Sequence, residues 1–218
     1  MKYNGYISEE EVSEYRQILT LLNEKGFLEA LQEERDMKWI NDNQDFLARK
    51  GIEITYGCTK CVIITDNDYV IKVDLPKSGY SYCHKEAMVY EDAVAYGLQK
   101  YFAPTYYFTY FETFDFYLQR QCLVDEDAIY ESFCSYSANG YSPDEFEDED
   151  EYNETVCSYA DQLDWEEAIE AIYGIDKEVN ALIKFLSDRK VNDLHSQNFG
   201  SLKINGFYDT VMIDYSGY

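Results

Sequence analysis

The sequence predicts an α+β fold in which a sheet of about five antiparallel strands lies between two helical regions. The first observation behind this prediction is a change near Gly51 from helical spacing of apolar residues to short β-branched and aromatic runs. The second is the return of helical spacing in the last third of the chain. With 218 residues, of which 46% are apolar and 17% aromatic, the chain is long and apolar enough to bury a core.

Residues 8–49 are expected to be helical. Ser8 and Glu11 have the spacing of a capping box, which closes the first turn of a helix. The apolar residues that follow at helical spacing are Val12, Tyr15, Leu19 and Leu22. The segment NEKG interrupts this pattern, and a second helix is expected to run from Phe27 toward Trp39.

Five short runs between residues 51 and 124 predict the strands. They read IEITYG, CVIITD, YVIKVDL, TYYFTYF and FDFYLQRQCLV, and turn-forming segments such as DND and ETFD separate them. We therefore expect an antiparallel meander. Between the third and fourth runs, YCHKEAMVYEDAVAYGLQKYF has a helical apolar face, formed by Ala87, Tyr90, Val94 and Leu98.

The remaining region, 125–218, begins with a charged segment. Eight of the residues in 144–154 are acidic, and such a run repels itself, so a solvent-exposed loop is expected there. A docking strip for a basic partner is the alternative. Helical spacing resumes in DWEEAIEAIYGIDKEVNALIKFLSD.

The charge restricts the classes of partner. With 43 acidic against 18 basic side chains, the net charge is −25, which disfavours direct binding to nucleic acid or to an anionic membrane and favours cations or a basic protein. The sequence has no run of about 18 uncharged apolar residues, and its first residues lack an apolar signal core. A cytoplasmic protein is the expectation.

The six cysteines are expected to be free thiols in that reducing compartment. Cys58 and Cys61 form a C-x-x-C pair, and Cys83 and His84 follow, so a zinc site is one possibility. Because no second C-x-x-C is present and Cys61 begins a strand-like run, small apolar packing is the preferred interpretation.

The most informative polar residues lie near the end of the sequence. In VNDLHSQNFGSL, Asp193 and Asn198 follow a long helical segment and are expected in a loop, and the apolar run VMI leads into Asp214. Two carboxylates and an amide oxygen suit Mg²⁺, which prefers oxygen ligands and commonly shares its shell with substrate phosphates. This set indicates phosphoryl transfer.

The arrangement resembles the protein-kinase-like superfamily, in which a D-x-x-x-x-N loop precedes a D-F-G-like aspartate. The motif DLHSQNFG is most similar to that of the aminoglycoside and choline kinase branch. The resemblance implies ATP and Mg²⁺ as cofactors. It makes Asp193 the catalytic aspartate that accepts the proton of the attacking hydroxyl, and Asn198 and Asp214 the metal ligands.

The segments before Asp193 also resemble motifs of this superfamily, and they occur in the same order along the chain. YVIKV resembles the family's third-strand V-A-I-K, so Lys72 would bind the α- and β-phosphates. Glu86 in the following helix would orient Lys72, with Glu91 as the competing choice. In TYGCTKCVI, Gly57 and Lys60 occupy the phosphate-loop position, and Gln119 to Cys122, including Gln121, would form the hinge that binds adenine.

The resemblance implies a two-lobed kinase-like fold. Its parts would be an N-terminal helical extension (1–50), an N-lobe with the sheet and one helix (51–124), and a minimal, truncated C-lobe (125–218). Small kinase-like chains of this kind resemble bacteriophage reading frames.

The chain also departs from the family pattern. The phosphate loop has one glycine, Val191 and Asn192 replace the family's His-Arg, and the sequence ends four residues after Asp214. Two classes of function therefore stay open. The first is an ATP- and Mg²⁺-dependent phosphotransferase acting on a protein hydroxyl or a small molecule. The second is a non-catalytic acidic pseudokinase or nucleic-acid mimic that binds a basic protein.

Overall fold

The computed structural model describes residues 2–3 and 7–217. It has the expected α+β architecture, with a five-stranded antiparallel sheet and helices on either side of it in the sequence. The chain divides into two compact units. The first contains the residues up to Cys83 together with Phe108–Leu118, and the second contains His84–Tyr107 and Gln119–Tyr218.

The first unit begins with a short antiparallel pair, β1 (Lys2–Tyr3) and β2 (Ile7–Ser8). Four helices follow: α1 (Glu9–Glu24), α2 (Phe27–Gln32), α3 (Asp36–Asp42) and α4 (Gln44–Arg49). The predicted capping box is confirmed, since Ser8 Oγ accepts from Glu11 N at 3.2 Å and Glu11 Oε2 accepts from Ser8 N at 2.8 Å. Gly26, with φ +79°, separates α1 from α2 as the NEKG segment predicted.

The core of the first unit forms where α1 meets the sheet. Tyr15 is 1% exposed and makes edge-to-face contacts with Tyr69 and Phe108. Its hydroxyl accepts a hydrogen bond from Tyr69 N at 3.0 Å. The N-terminal helices, predicted as an extension, therefore share a core with the strands.

The five predicted strands are all present. They are β3 (Glu53–Tyr56), β4 (Lys60–Ile64), β5 (Tyr69–Asp74), β6 (Thr105–Phe111) and β7 (Phe114–Arg120). Their order in the sheet is β3-β4-β5-β7-β6, so the expected simple meander is wrong. Because the long connection after β5 carries a helix, α5 (Tyr82–Tyr96), β6 can take the edge, and the tight turn after it returns β7 beside β5.

The second unit contains most of the later helices, one hairpin, the first residues of β6 and the last residues of β7. After α5 come α6 (Glu126–Ala138), α7 (Glu149–Ala160), α8 (Trp165–Tyr173) and α9 (Lys177–Asp188), followed by β8 (Phe199–Ile204) and β9 (Phe207–Met212). The core is formed by apolar faces of these helices and the hairpin, and includes Ala93, Ile169, Leu182, Leu186 and Phe199.

Two expectations for the second unit are corrected. The acidic segment 144–154 is only in part a loop, because Glu149 begins α7. Asp148 caps that helix by accepting from Glu151 N at 2.9 Å, and acidic residues in a first turn interact favourably with the helix dipole. The later helical segment is split at Gly174, whose φ is +81°. In the described part of the chain, no helix is long and apolar enough to cross a membrane.

Candidate functional site

The hairpin formed by β8 and β9 organises the C-terminal polar residues. Its strands pair from Phe199 opposite Met212 to Ile204 opposite Phe207. The turn is Asn205-Gly206, with φ values of +51° and +89°, the residue pair and backbone that two-residue hairpin turns favour. Because this register is regular, the residue before β8 and the residues after β9 meet at the open end of the hairpin.

Asn198 and Asp214 lie together at that end. The carbonyl oxygen of Asn198 accepts hydrogen bonds from Ile213 N at 2.7 Å and from Asp214 N at 3.4 Å. The Asn198 side chain is buried, and its Oδ1 accepts from His195 N at 2.7 Å, which leaves a second lone pair on that oxygen. The Asp214 carboxylate is half-buried and accepts from Ser216 Oγ at 3.1 Å.

Asp193 lies in the segment between α9 and the 3₁₀ turn Ser196–Asn198. Its neighbours Val191 and Leu194 are buried, at 0% and 4% exposure, so the backbone on both sides of Asp193 is anchored in the core. The Asp193 side chain is half-buried. The three predicted acidic and amide residues thus belong to the same compact unit, two of them in direct backbone contact.

Tyr215 fixes the chain immediately after Asp214. It is 0% exposed, and its hydroxyl donates to the carbonyl oxygen of Ala103 at 2.7 Å and lies 2.7 Å from Thr105 Oγ1. Gln119 Nε2 donates to the same Thr105 oxygen at 2.8 Å. Burial, followed by the nearby Glu86 carboxylate, raises the pKa of Tyr215 well above its usual value, so the phenol stays protonated.

Gly217 anchors the chain two residues farther on. Its φ is +59°, and a Cβ at this position would overlap the carbonyl oxygen of Lys190. Lys85 Nζ donates to the same oxygen at 3.0 Å. Desolvation, and secondarily the charge of Lys190, lowers the pKa of Lys85. The segment that carries Asp214 is therefore held by hydrogen bonds and close packing at successive residues.

The predicted lysine and glutamate are both buried. Lys72, in β5, is 4% exposed, and Glu86, in α5, is 0% exposed. Glu91, the competing choice, is exposed. Burying a carboxylate or an ammonium group costs desolvation free energy unless an opposite charge and hydrogen bonds compensate it. Lys72 and Glu86 are therefore not ordinary surface charges. Glu86 lies in the same unit as Asp214, whereas Lys72 belongs to the first unit.

The predicted phosphate loop is the turn between β3 and β4. Gly57 N donates to Lys60 O at 2.9 Å, and a Cβ on Gly57 would meet open space. Gly57 is exposed, whereas Lys60 is 4% exposed at the start of β4. A ligand can therefore approach the Gly57 backbone, but the Lys60 ammonium does not extend freely into solvent.

Of the predicted hinge residues, Gln119 and Gln121 have different environments. Gln119 is 4% exposed and its side chain holds Thr105, as described above. Gln121 is exposed. It lies between two anchored points, because Arg120 N donates to Pro104 O at 2.8 Å and Leu123 forms an isolated antiparallel bridge with Ser201.

The sequence pattern does not indicate the residues that support the site, namely Lys85, Thr105, Tyr215 and Ser216. Only Tyr215 carried a usable signal, since an aromatic residue directly follows the predicted metal ligand in DYSG. The hydrogen-bond partners of Tyr215 come from distant parts of the sequence and show no local pattern.

The alternative zinc interpretation concerned Cys58 and Cys61. Cys58 is exposed and Cys61 is buried in the sheet, where burial raises the pKa of its thiol to about 12. Across residues 7–217, no three His, Cys, Asp or Glu side chains converge as a metal-binding set. At the open end of the hairpin, Asn198 and Asp214 supply one amide and one carboxylate group.

No family model matches the chain, and no curated protein matches its sequence significantly.

Proposed function

We propose that this protein is an ATP- and Mg²⁺-dependent phosphotransferase that acts on a protein hydroxyl or a small alcohol. The observation that supports it most is the pairing of Asn198 with Asp214 at the open end of the β8–β9 hairpin, through hydrogen bonds of 2.7 and 3.4 Å to the Asn198 carbonyl. Asp193 precedes Asn198 by five residues in the same unit.

In this proposal, Asn198 and Asp214 bind Mg²⁺ through Oδ1 and a carboxylate oxygen. The ion would neutralise charge on the phosphates of ATP. Ser216 orients the Asp214 carboxylate, and Tyr215 holds its backbone. The anchored backbone would keep these residues in fixed positions. Catalysis of phosphoryl transfer depends mainly on such positioning and on charge stabilisation.

Asp193 would act as the general base. Its carboxylate would accept a hydrogen bond, and then the proton, from the attacking hydroxyl group. The buried residues on both sides fix its backbone, while its half-exposed side chain leaves it accessible to a substrate.

Lys72 would bind the α- and β-phosphates, as its match to the family's third-strand lysine implies, and Glu86 would be the glutamate of the following helix in the same set of motifs. The burial of both residues supports these roles, because an unneeded charge at either position would be disfavoured. Gly57 would offer its exposed backbone to the phosphates, whereas the burial of Lys60 does not favour the role in phosphate binding that the sequence predicts for it. The adenine would bind along the segment from Gln119 to Gln121.

The test is transfer of label from γ-labelled ATP in the presence of Mg²⁺, with a cell lysate as the source of acceptors. We compare the wild type with Asp193→Ala and Asp214→Ala. The matched control is Asp209→Ala, which removes an exposed carboxylate from strand β9 of the same hairpin. Loss of a residue that stabilises the transition state should lower the rate by roughly 10²–10³-fold, whereas the control should keep the wild-type rate. Equal labelling by wild type and Asp214→Ala would exclude the enzymatic proposal.

A second candidate function is supported by the acidic segment. All eight acidic residues of 144–154 are exposed, around the N-terminal end of α7. A non-catalytic protein could use this surface to bind a basic partner, and its affinity would then fall steeply with salt. Asp214→Ala would leave such binding unchanged, whereas replacing Glu147, Glu149 and Asp150 with lysine would weaken it.

A further inference from the structure

Two cysteines face each other across a pair of helices in the second unit. Cys134 lies on α6 and Cys157 on α7, and their sulfur atoms are 3.9 Å apart. Both residues are partly exposed, whereas Cys61 and Cys83 are buried and Cys58 is exposed. The structure thus brings these two thiols into contact.

A second contact fixes the register of the two helices next to this pair. The Tyr130 hydroxyl, one helical turn before Cys134, lies 3.0 Å from Asp161 Oδ1 and 3.3 Å from Cys157 O. Asp161 is one turn after Cys157. The facing position of the two thiols is therefore set by a cross-helix hydrogen bond and does not depend on the sulfur contact alone.

The geometry requires little movement for a covalent bond. A disulfide has a sulfur–sulfur distance of about 2.0 Å, so the two sulfur atoms must approach by roughly 2 Å. The bond would close a loop that contains the whole acidic segment 144–154.

We propose that Cys134 and Cys157 form a reversible intramolecular disulfide that constrains the acidic segment between α6 and α7. This proposal is independent of the phosphotransferase activity. It assigns the two thiols as a site of oxidative modification by a low-molecular-weight disulfide, such as glutathione disulfide.

The reaction proceeds by two thiol–disulfide exchanges. The thiolate of one cysteine attacks a sulfur of glutathione disulfide, which forms a mixed disulfide and releases one glutathione thiolate. The thiolate of the second cysteine then attacks the cysteine sulfur of the mixed disulfide and releases a second glutathione. Two protein thiols lose two electrons and two protons, and the glutathione disulfide is reduced to two molecules of glutathione.

The local environment makes this oxidation dependent on pH. Burial, followed by the hydrogen bond with Cys157, raises the pKa of the Cys134 thiol to about 11. The thiolate is the reactive form, so oxidation should be slow at pH 7 and should accelerate as the pH rises toward 9.

The experiment exposes the full chain to glutathione disulfide at pH 8.5, followed by alkylation of free thiols and peptide mass mapping. The wild type should yield a peptide pair linked through Cys134 and Cys157, which dithiothreitol separates. Its melting temperature should rise by roughly 5–10 °C on oxidation, as expected for a loop of this size. Cys58→Ser is the matched control and should behave as the wild type does.

Cys134→Ser and Cys157→Ser should each lose the linked peptide and the rise in melting temperature, and each should instead keep a glutathione adduct on the remaining thiol. Two results would overturn the proposal. One is a wild type in which stable glutathione adducts persist on Cys134 and Cys157. The other is a linked peptide that pairs either cysteine with a different partner or with a second chain.

Discussion

Tyr215 shows how a single residue can support the proposed metal site without contacting the metal. It follows Asp214 directly, and its buried hydroxyl is tied to Ala103 O and Thr105 Oγ1. The edge-to-face contact with Phe102, at a centroid distance of 5.0 Å, fixes the ring. The phenol therefore limits how far the Asp214 backbone can move.

Replacing Tyr215 with Phe tests this role. The ring packing is kept, but the Ala103 carbonyl and the Thr105 hydroxyl each lose one hydrogen-bond partner. Thr105 Oγ1 still donates to Ala103 O at 3.1 Å and accepts from Gln119 Nε2 at 2.8 Å, so the free energy of unfolding should fall by about 1 kcal/mol. Urea unfolding measures the loss. The control is Tyr208→Phe, on an exposed tyrosine of β9, which should change stability by less than about 0.5 kcal/mol. Equal stability of the Tyr215 variant and the wild type would contradict the role assigned to the hydroxyl.

The proposed site residues differ in how far sequence could predict them. Asp193, Asn198 and Asp214 were found because a short motif and a following apolar strand fix their order and spacing along the chain. Thr105 and Lys85 were not found, because they reach the segment around Asp214 through tertiary contacts. Lys85, for example, binds the carbonyl oxygen of Lys190 across a large separation in sequence.

At the scale of elements, local sequence patterns predicted the five strands but not the order in which they pair in the sheet. Each of the five apolar runs forms a strand, because alternation and β-branched residues act locally. In the sheet, β7 lies beside β5 and β6 lies at the edge, an order that the apolar patterns of β6 and β7 do not indicate. The meander prediction failed for this reason.

The prediction of a loop for the acidic segment rests on the repulsion between its like charges. It does not consider that some of these residues occupy positions at the start of a helix, where acidic side chains are favourable. Asp148 is at the N-cap of α7, and the next three acidic residues are in the first turn, where they face the unsatisfied backbone N–H groups. A local feature of the sequence, an acidic cap followed by acidic residues, could have predicted this helix start.

Removing this cap gives a prediction for the element. In Asp148→Ala, the hydrogen bond from Glu151 N is lost, so the free energy of unfolding should fall by about 1 kcal/mol. Asp144→Ala removes an equal charge from an exposed position outside α7 and is the control, with a change of less than about 0.5 kcal/mol. Chemical denaturation measures both. A larger loss in Asp144→Ala than in Asp148→Ala would show that the cap does not stabilise α7.

For the whole molecule, buried tyrosines predict a limit on stability at high pH. Burial is the main cause that raises the pKa of Tyr15, Tyr117 and Tyr215 above the usual value. Above about pH 10 the unfolded chain loses these phenolic protons while the folded chain keeps them. The unfolded state then binds fewer protons, so stability falls as pH rises.

Each such tyrosine should lower the free energy of unfolding by about 1.4 kcal/mol per pH unit above pH 10, and should have no effect below about pH 9. Urea unfolding at pH 8, 9 and 10.5 measures this change, and ultraviolet absorbance of phenolate reports the ionisation. A midpoint at pH 10.5 equal to that at pH 8 would show that these tyrosines ionise normally in the folded protein.

The central claim for the whole molecule is that it binds ATP together with Mg²⁺ through Asp214. Calorimetric titration of the protein with ATP tests this claim most directly, because it requires no knowledge of the acceptor. We predict saturable binding by the wild type in Mg²⁺, loss of that binding in EDTA and in Asp214→Asn, and wild-type affinity in Asp209→Asn. Wild-type protein that takes up no ATP in Mg²⁺, or an Asp214→Asn variant that binds it with unchanged affinity, would contradict the account.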